Sequence, residues 1–198
     1  MHKFALIFIA ITCLLAQPSE STTTIAMDVT SSDSWTTYAP QTQYINQGGP
    51  PIVARDGSIW WPLKESSRGL GFHGALKFDG QIWTAYTKDD GLLDGQVRTI
   101  AQAPDGTLWF AGSHKDKAAV AHFDGNKWTI HAESITGKTT GPSAVVDKQG
   151  HLWISTEHTD LKDAAKDSSK GGNGVYRYDG NTWTHLTVAD GLAHNRVY

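Results

Sequence analysis

The stretch PDGTLWFAG, Pro104 to Gly112, and the later FDGNKWTIH, Phe123 to His131, decide how this chain folds, because both recur. The first returns as RDGSIWWPL (Arg55 to Leu63) and KQGHLWIST (Lys148 to Thr156). The second returns as FDGQIWTAY (Phe78 to Tyr86) and YDGNTWTHL (Tyr178 to Leu186), with SDSWTTY (Ser32 to Tyr38) as a degenerate earlier copy. Gly57, Gly106 and Gly150 lie 49 and 44 residues apart, and Asp79, Asp124 and Asp179 lie 45 and 55 apart. A repeat of roughly 40–50 residues is the size of a four-stranded propeller blade.

Outward from these motifs, each Asp-Gly pair between apolar runs predicts a β-hairpin with a type I′ turn, which needs positive φ at both central residues. The second unit reads as strands Val97 to Gln102, Leu108 to Ala111, Ala118 to Phe123 and Lys127 to His131. The units on either side repeat that order. Helical spacing is confined to LKDAAK, Leu161 to Lys166, inside a loop. The expected fold is all-β: a β-propeller of four-stranded antiparallel blades, about three of them present and the ring incomplete. The spans are 50–88 for blade 1, 89–133 for blade 2 and 134–188 for blade 3. Residues 189–198 read as the start of a truncated next blade, because Asp190-Gly191-Leu192 repeats Asp90-Gly91-Leu92. On that reading the chain is the N-terminal piece of a longer protein.

In a meander, successive turns lie at opposite ends of the sheet. The Asp-Gly turns therefore share one tight face. The irregular segments Lys64–Gly74, Gly112–Lys117 and Glu157–Gly174 share the other, together with the links between blades. Loops presented by a rigid scaffold are where binding residues concentrate. The variable face is the expected place for a ligand.

Composition agrees with short strands. Hydrophobic residues make up 39% and charged residues 19%, while 20 glycines and 8 tryptophans supply turns and large aromatic wedges. A net charge of −3 leaves no basic stripe for nucleic acid. A single cysteine, Cys13, excludes an internal disulfide framework. The N-terminus reads separately: Lys3 precedes a 13-residue apolar run, Phe4 to Ala16, which is the pattern of a secretory signal peptide over 1–18. The run is shorter than the ~20 residues of a membrane span. Cys13 leaves a lipid anchor open as the alternative. Residues 19–49 read as a Ser/Thr-rich flexible leader with a degenerate strand. The expected location is periplasmic or extracellular, with membrane contact only through that anchor or through missing C-terminal parts.

The pattern Val97, Ile100, Asp105-Gly106, Leu108-Trp109-Phe110, then Phe123-Asp124-Gly125 and Trp128, then Asp190-Gly191-Leu192, resembles the two-component regulator propeller repeat. The resemblance covers about Ile52 to Tyr198. It implies an extracytoplasmic sensor propeller, with carbohydrate-like ligands where a role is understood. It also implies a signalling output, such as a histidine kinase, further along the protein. The shared residues build blades and do not encode a ligand.

Tryptophans repeated in every blade read as wedges between blades, each burying roughly 150–250 Å². The Asp-Gly acids read as turn formers rather than calcium ligands, since the spacing lacks alternate ligands and a terminal glutamate. Candidate ligand-binding residues are the polar groups of the variable face: Arg68, His73, His114, Lys115, Glu157, His158 and Asp160. No catalytic residue, metal or cofactor is expected. The leading function is a non-catalytic sensory module for a small-molecule or carbohydrate-like ligand. A protein-interaction scaffold using the same face is the first alternative. The second is a propeller lyase of the kind that opens cyclic depsipeptide antibiotics. Glu157-His158 superficially resembles that family's Glu and His, but Ile154-Ser155-Thr156 departs from its wording and no second paired His is identifiable.

Overall fold

The computed structural model describes residues 23–25, 27–31, 36–40, 46–47, 49–64, 73–131, 135, 142–157 and 172–197. Ahead of the repeats come β1 (Thr23–Ile25), β2 (Met27–Ser31), β3 (Thr36–Pro40) and β4 (Asn46–Gln47). These strands fall within the span read as a leader. The first blade is β5 (Ile52–Val53), β6 (Ile59–Lys64), β7 (Gly74–Phe78) and β8 (Trp83–Tyr86). The second is β9 (Val97–Gln102), β10 (Leu108–His114), β11 (Lys117–Phe123) and β12 (Trp128–His131). The third is β13 (Ser143–Val146), β14 (Leu152–Glu157), β15 (Gly172–Tyr178) and β16 (Trp183–Leu186). The helical spacing at 161–166 and Trp35 lie outside the described residues.

All pairings are antiparallel, and blades 2 and 3 are four-stranded meanders in sequence order. Blade 1 is widened to six strands. β1 adds outside β8, with Thr23 opposite Ala85 and Ile25 opposite Trp83. β4 and β5 both pair with β6, at opposite ends of it. Pro50 and Pro51, which have no N–H to give a ladder, lie between those two short strands. β9 lies against β6 on one side and β13 on the other, so consecutive blades are stacked around a common axis. The result is three β-propeller blades whose ring is not closed.

The core lies in the seams. Between blades 1 and 2, Trp60, Ala75, Leu92, Leu93, Val97, Ile100 and Phe110 pack together. Between blades 2 and 3, Trp109, Ala111, Val120, Ile135, Leu152, Ile154 and Tyr176 do the same. A third cluster, Leu63, Leu76, Phe78, Trp83 and Ala85, covers the far side of blade 1. The repeated tryptophans act as wedges: Trp60, Trp83 and Trp109 are buried, and Trp128, Trp153 and Trp183 are half-buried. Each of the three on the second strand faces a basic or imidazole side chain across the sheet. Trp60 is opposite Lys77, Trp109 opposite His122 and Trp153 opposite Arg177. The Lys77 ammonium sits 5.5 Å from the Trp60 ring, and the Arg177 guanidinium 5.7 Å from that of Trp153. A cation over an indole face is attracted by the ring quadrupole.

The Asp-Gly turns are not of type I′. In the first connection of blade 1, Gly57 donates to Ala54 O and Ala54 donates to Ser58 O, with positive φ only at Gly57 (82°). That is a three-residue loop, a type I turn followed by a glycine bulge. In the third connection, Asp79 N–H donates to Ile82 O across two central residues, and only the first of them, Gly80, has positive φ (98°), the pattern of a type II′ turn. Blades 2 and 3 repeat both forms. The aspartate explains the difference. The Asp79 carboxylate accepts the N–H groups of Gln81 and Ile82, and so stabilises the turn from outside its two central positions. The same contacts to Thr182 and Asn181 hold the Asp179 carboxyl down to about 2.

The links between blades have their own device. Thr87 and Asp90 form a reciprocal cap around a short 3-10 turn, Lys88–Asp90: Asp89 N–H donates to Thr87 Oγ1, and Thr87 N–H donates to Asp90 Oδ2 at 2.7 Å. Gly91 then closes the turn and leads to Leu92 and Leu93, both buried in the seam. Thr187, Asp190 and Gly191 repeat the arrangement. The acid of Asp90-Gly91 is thus taken up by Thr87.

Candidate functional site

The segment Gly112–Lys117, expected to be irregular, is a tight hairpin. β10 and β11 pair as far as His114 opposite Lys117, and Lys115 and Asp116 are the two central residues. Both have positive φ, 49° and 59°, and they are the non-glycine residues that do so among those described. This is type I′ geometry, placed where the sequence has Lys-Asp instead of Asn-Gly. Left-handed backbone costs a residue such as Lys115 roughly 1–2 kcal/mol and is better tolerated by Asp116, and such strain concentrates at functional positions.

Asp94, in the link between blades 1 and 2, holds the strained turn. Its Oδ1 accepts Lys115 N–H at 2.9 Å, and His114 Nδ1 lies 3.2 Å from the same oxygen. His114 Nδ1 is also 3.4 Å from Asp94 N. A protonated Nδ1 donates to the carboxylate and an unprotonated one accepts the amide, so His114 braces Asp94 in either state. Gly95 N–H donates to Ser113 O, and Ser113 N–H to Gln96 O, which fastens link and turn together.

These elements enclose a groove of about 540 Å³ at the seam of blades 1 and 2, on the variable face. Blade 1 contributes His73 and the 3-10 turn contributes Lys88. The link contributes Asp94, Gly95 and Gln96, and the turn contributes Ser113, Lys115 and Asp116. A side hollow of about 240 Å³ continues past His73 and Lys88 to Thr87 and Asp89. The walls of the main groove are mostly polar. Among the described residues neither Lys88 nor Lys115 has an ion-pair partner, whereas Asp94 is engaged by the turn. Two ammonium groups, the carboxylates of Asp94 and Asp116, an imidazole, an amide and a hydroxyl thus surround a space large enough for a small polar molecule.

Of the residues singled out from sequence, His73 and Lys115 line this groove, and His114 stands behind it against Asp94. Arg68, His158 and Asp160 lie outside the described residues. Glu157 ends β14, and its side chain is likewise outside them. Lys88, Asp94, Gln96, Ser113 and Asp116 were not anticipated as ligand-binding residues. The available signal was positional, because each sits in a segment assigned to the variable face or at its edge.

Two further polar clusters lie elsewhere. On blade 3, Asp147 accepts the indole N–H of Trp153 at 2.9 Å, and His151 Nδ1 is 3.0 Å from the same carboxylate oxygen. The Trp153 hydrogen bond is the main reason the Asp147 carboxyl falls to about 2. The second cluster is a histidine pair, His122 and His131, at the seam of blades 2 and 3. No group of three or more His, Cys, Asp or Glu able to hold a metal ion occurs among the described residues.

A glycine at position 116 tests the strain directly. Asp116→Gly is expected to raise stability by up to about 1 kcal/mol, since glycine adopts positive φ without the steric penalty. Urea unfolding measures it. A lower midpoint would show that the turn is unstrained.

The fold defines a β-propeller segment with an open groove at the seam of its first two blades. Residues 91–114, which run from Gly91 through the link to His114, match the family model described as two component regulator propeller. The matched stretch includes Asp94, Gly95, Gln96 and Ser113 of the groove. No curated protein matches. Among solved structures, a gluconolactonase from Xanthomonas campestris is 20% identical, with a TM-score of 0.44, over 69% of this chain and 45% of its own. This chain thus spans less than half of that enzyme's length. A fucose lectin from Kordia zhangzhouensis, solved with methyl-fucoside, is 15% identical, with a TM-score of 0.47, over 69% of this chain and 95% of its own. YCF48 bound to D1 peptide is 13% identical, with a TM-score of 0.37, over 82% of this chain and 60% of its own.

Proposed function

We propose that this chain is the propeller part of an exported sensor that binds a small polar, carbohydrate-like ligand in the groove between blades 1 and 2. It carries out no catalysis itself. The observation that supports this reading is the strained Lys115–Asp116 turn, pinned by Asp94 and aimed with Lys88 into a polar cavity. A turn serving only to connect β10 and β11 would be more stable with glycine. The apolar run Phe4 to Ala16 supports export to the periplasm or cell exterior. The repeat family supports a place in two-component signalling, with the output carried by another part of the protein.

The test is a binding screen on the purified chain by thermal shift, using a panel of neutral and acidic mono- and disaccharides. Any hit is then measured by calorimetry. Lys88→Ala with Lys115→Ala is expected to weaken a hit at least tenfold, because each lysine contributes a charge-assisted hydrogen bond. Both side chains are exposed, so stability should stay within about 0.5 kcal/mol of the parent. A hit that binds equally well to the double variant would remove the groove from consideration.

A further inference from the structure

His122 on β11 and His131 on β12 stand outside the groove, at the seam of blades 2 and 3. Nδ1 of His122 lies 3.1 Å from Nε2 of His131. The pair is embedded in aromatic rings. Trp109 is 5.0 Å from His122 and 5.6 Å from His131. From blade 3, Tyr178 and Trp183 reach His131 at 5.4 and 5.8 Å. Blade 3 thus rests on blade 2 partly through this imidazole.

A separation of 3.1 Å between two ring nitrogens needs one hydrogen between them. One imidazole donates and the other accepts. If both are protonated, two N–H groups and two positive charges face each other in a half-buried aromatic pocket. The surroundings offer little compensation. Asp124 and Asp105 act favourably on a charged His122, but Lys127 opposes them. The Asp124 carboxylate already accepts two backbone N–H groups of its own turn, and that of Asp105 accepts Thr107 N–H. The charge that acts on His131 is that of His122, which disfavours its protonation. From blade 3, the Tyr178 hydroxyl donates to Gly180 O, and Arg177 lies over Trp153 instead.

We propose that the His122–His131 pair is an acid-sensitive latch: the seam between blades 2 and 3 holds on a pair sharing one hydrogen and opens when both imidazoles are protonated. Burial, the largest influence on both rings, holds each below the ordinary value of about 6.5. A histidine depressed in the closed state is protonated first in the open state. The latch is therefore fully effective above pH ~6.5 and weakens as pH falls below it. Each proton involved changes the opening equilibrium by up to about tenfold per pH unit.

Hydrogen exchange read by mass spectrometry on the full chain tests this, with peptides over 118–131 and 175–186 reporting the seam and 74–86 serving as reference. After correction for intrinsic exchange, seam protection should fall at least tenfold relative to the reference between pH 7 and pH 5. His131→Gln, neutral at both pH values, should abolish that selective loss. The latch is overturned if seam and reference change together, or if the selective loss persists in His131→Gln. Should that variant not fold, imidazole ¹⁵N titration of the unaltered chain decides. Two histidines titrating independently near pH 6.5 overturn the latch. A second proton that enters only as the seam peptides open supports it.

Discussion

Trp60→Ala is expected to reduce stability by roughly 3–5 kcal/mol, the range for removing a large buried aromatic side chain. Trp60 is 1% exposed at the seam of blades 1 and 2. It stacks on Tyr86 at 5.1 Å and meets Phe110 edge-on at 5.4 Å, so one ring joins β8 of blade 1 to β10 of blade 2. Its N–H donates to Ser58 Oγ at 3.0 Å, and that hydroxyl donates to Asp56 Oδ1 at 2.6 Å. Truncation leaves a cavity, strips the aromatic partners and removes the face beneath the Lys77 ammonium. Against a typical total of 5–15 kcal/mol, such a loss removes a large share of the stability. Trp153→Ala is the control. It is the same repeat position, but on the half-buried outward face of blade 3, covered by Arg177. Its truncation should reduce stability by less than half as much. Urea unfolding followed by far-ultraviolet circular dichroism compares the two without relying on tryptophan emission. Equal losses would mean that seam burial is not what makes the motif tryptophan important.

That comparison shows why the blades were legible in the sequence and the groove only partly so. Blade construction depends on residues close together in the chain: an Asp-Gly turn, a Leu-Trp pair two residues later, and an apolar strand of fixed length. These recur at one spacing, so the repeat announces itself. Turn type was not legible from the dipeptide, because the Asp79 carboxylate captures Gln81 and Ile82 N–H and stabilises a different turn. Lys77, His122 and Arg177 sit at one place in the three repeats, each before the Phe-Asp-Gly or Tyr-Asp-Gly motif. The meaning of that place needed the strand register. The groove combines four separate segments, and its tight turn carries Lys-Asp, where only the Asp is a residue type that favours positive φ and no glycine marks the turn. His73 and Lys115 could be placed on the right face. Asp94 could not be given its role, because that role is to hold Lys115, 21 residues further on.

Gly112→Ala carries the other large expected effect, and it couples fold to groove. Gly112 lies inside β10, where the pairing with β9 shifts register between Ala111 and Gly112. A methyl group there would overlap the carbonyl oxygen of Gln96 and approach Leu93 Cδ1 to 3.1 Å. The sterically blocked atom is backbone, so no rotamer change relieves it. The link must move away from β10 and loosen the Gly95–Ser113 and Ser113–Gln96 hydrogen bonds. It carries Asp94 away from Lys115 N–H as it goes. Overpacking of this kind costs about 3 kcal/mol at the upper end of its usual range, and ligand affinity should fall with it. Leu63 and Thr156 occupy the corresponding positions of blades 1 and 3, both buried, so the repeat itself tolerates a side chain there. Blade 2 differs because Leu93 and the Gln96 carbonyl fill the space. Gly106→Ala separates the two ways a glycine can be required. A methyl group at Gly106 meets no atom within 4 Å, but its φ of 98° is strained for alanine, so it should cost only about 1–2 kcal/mol and leave the groove intact. Chemical denaturation gives both stabilities, and the saccharide hit gives the binding. If Gly112→Ala matches the parent in both, the close approach of link and strand is not what shapes the site.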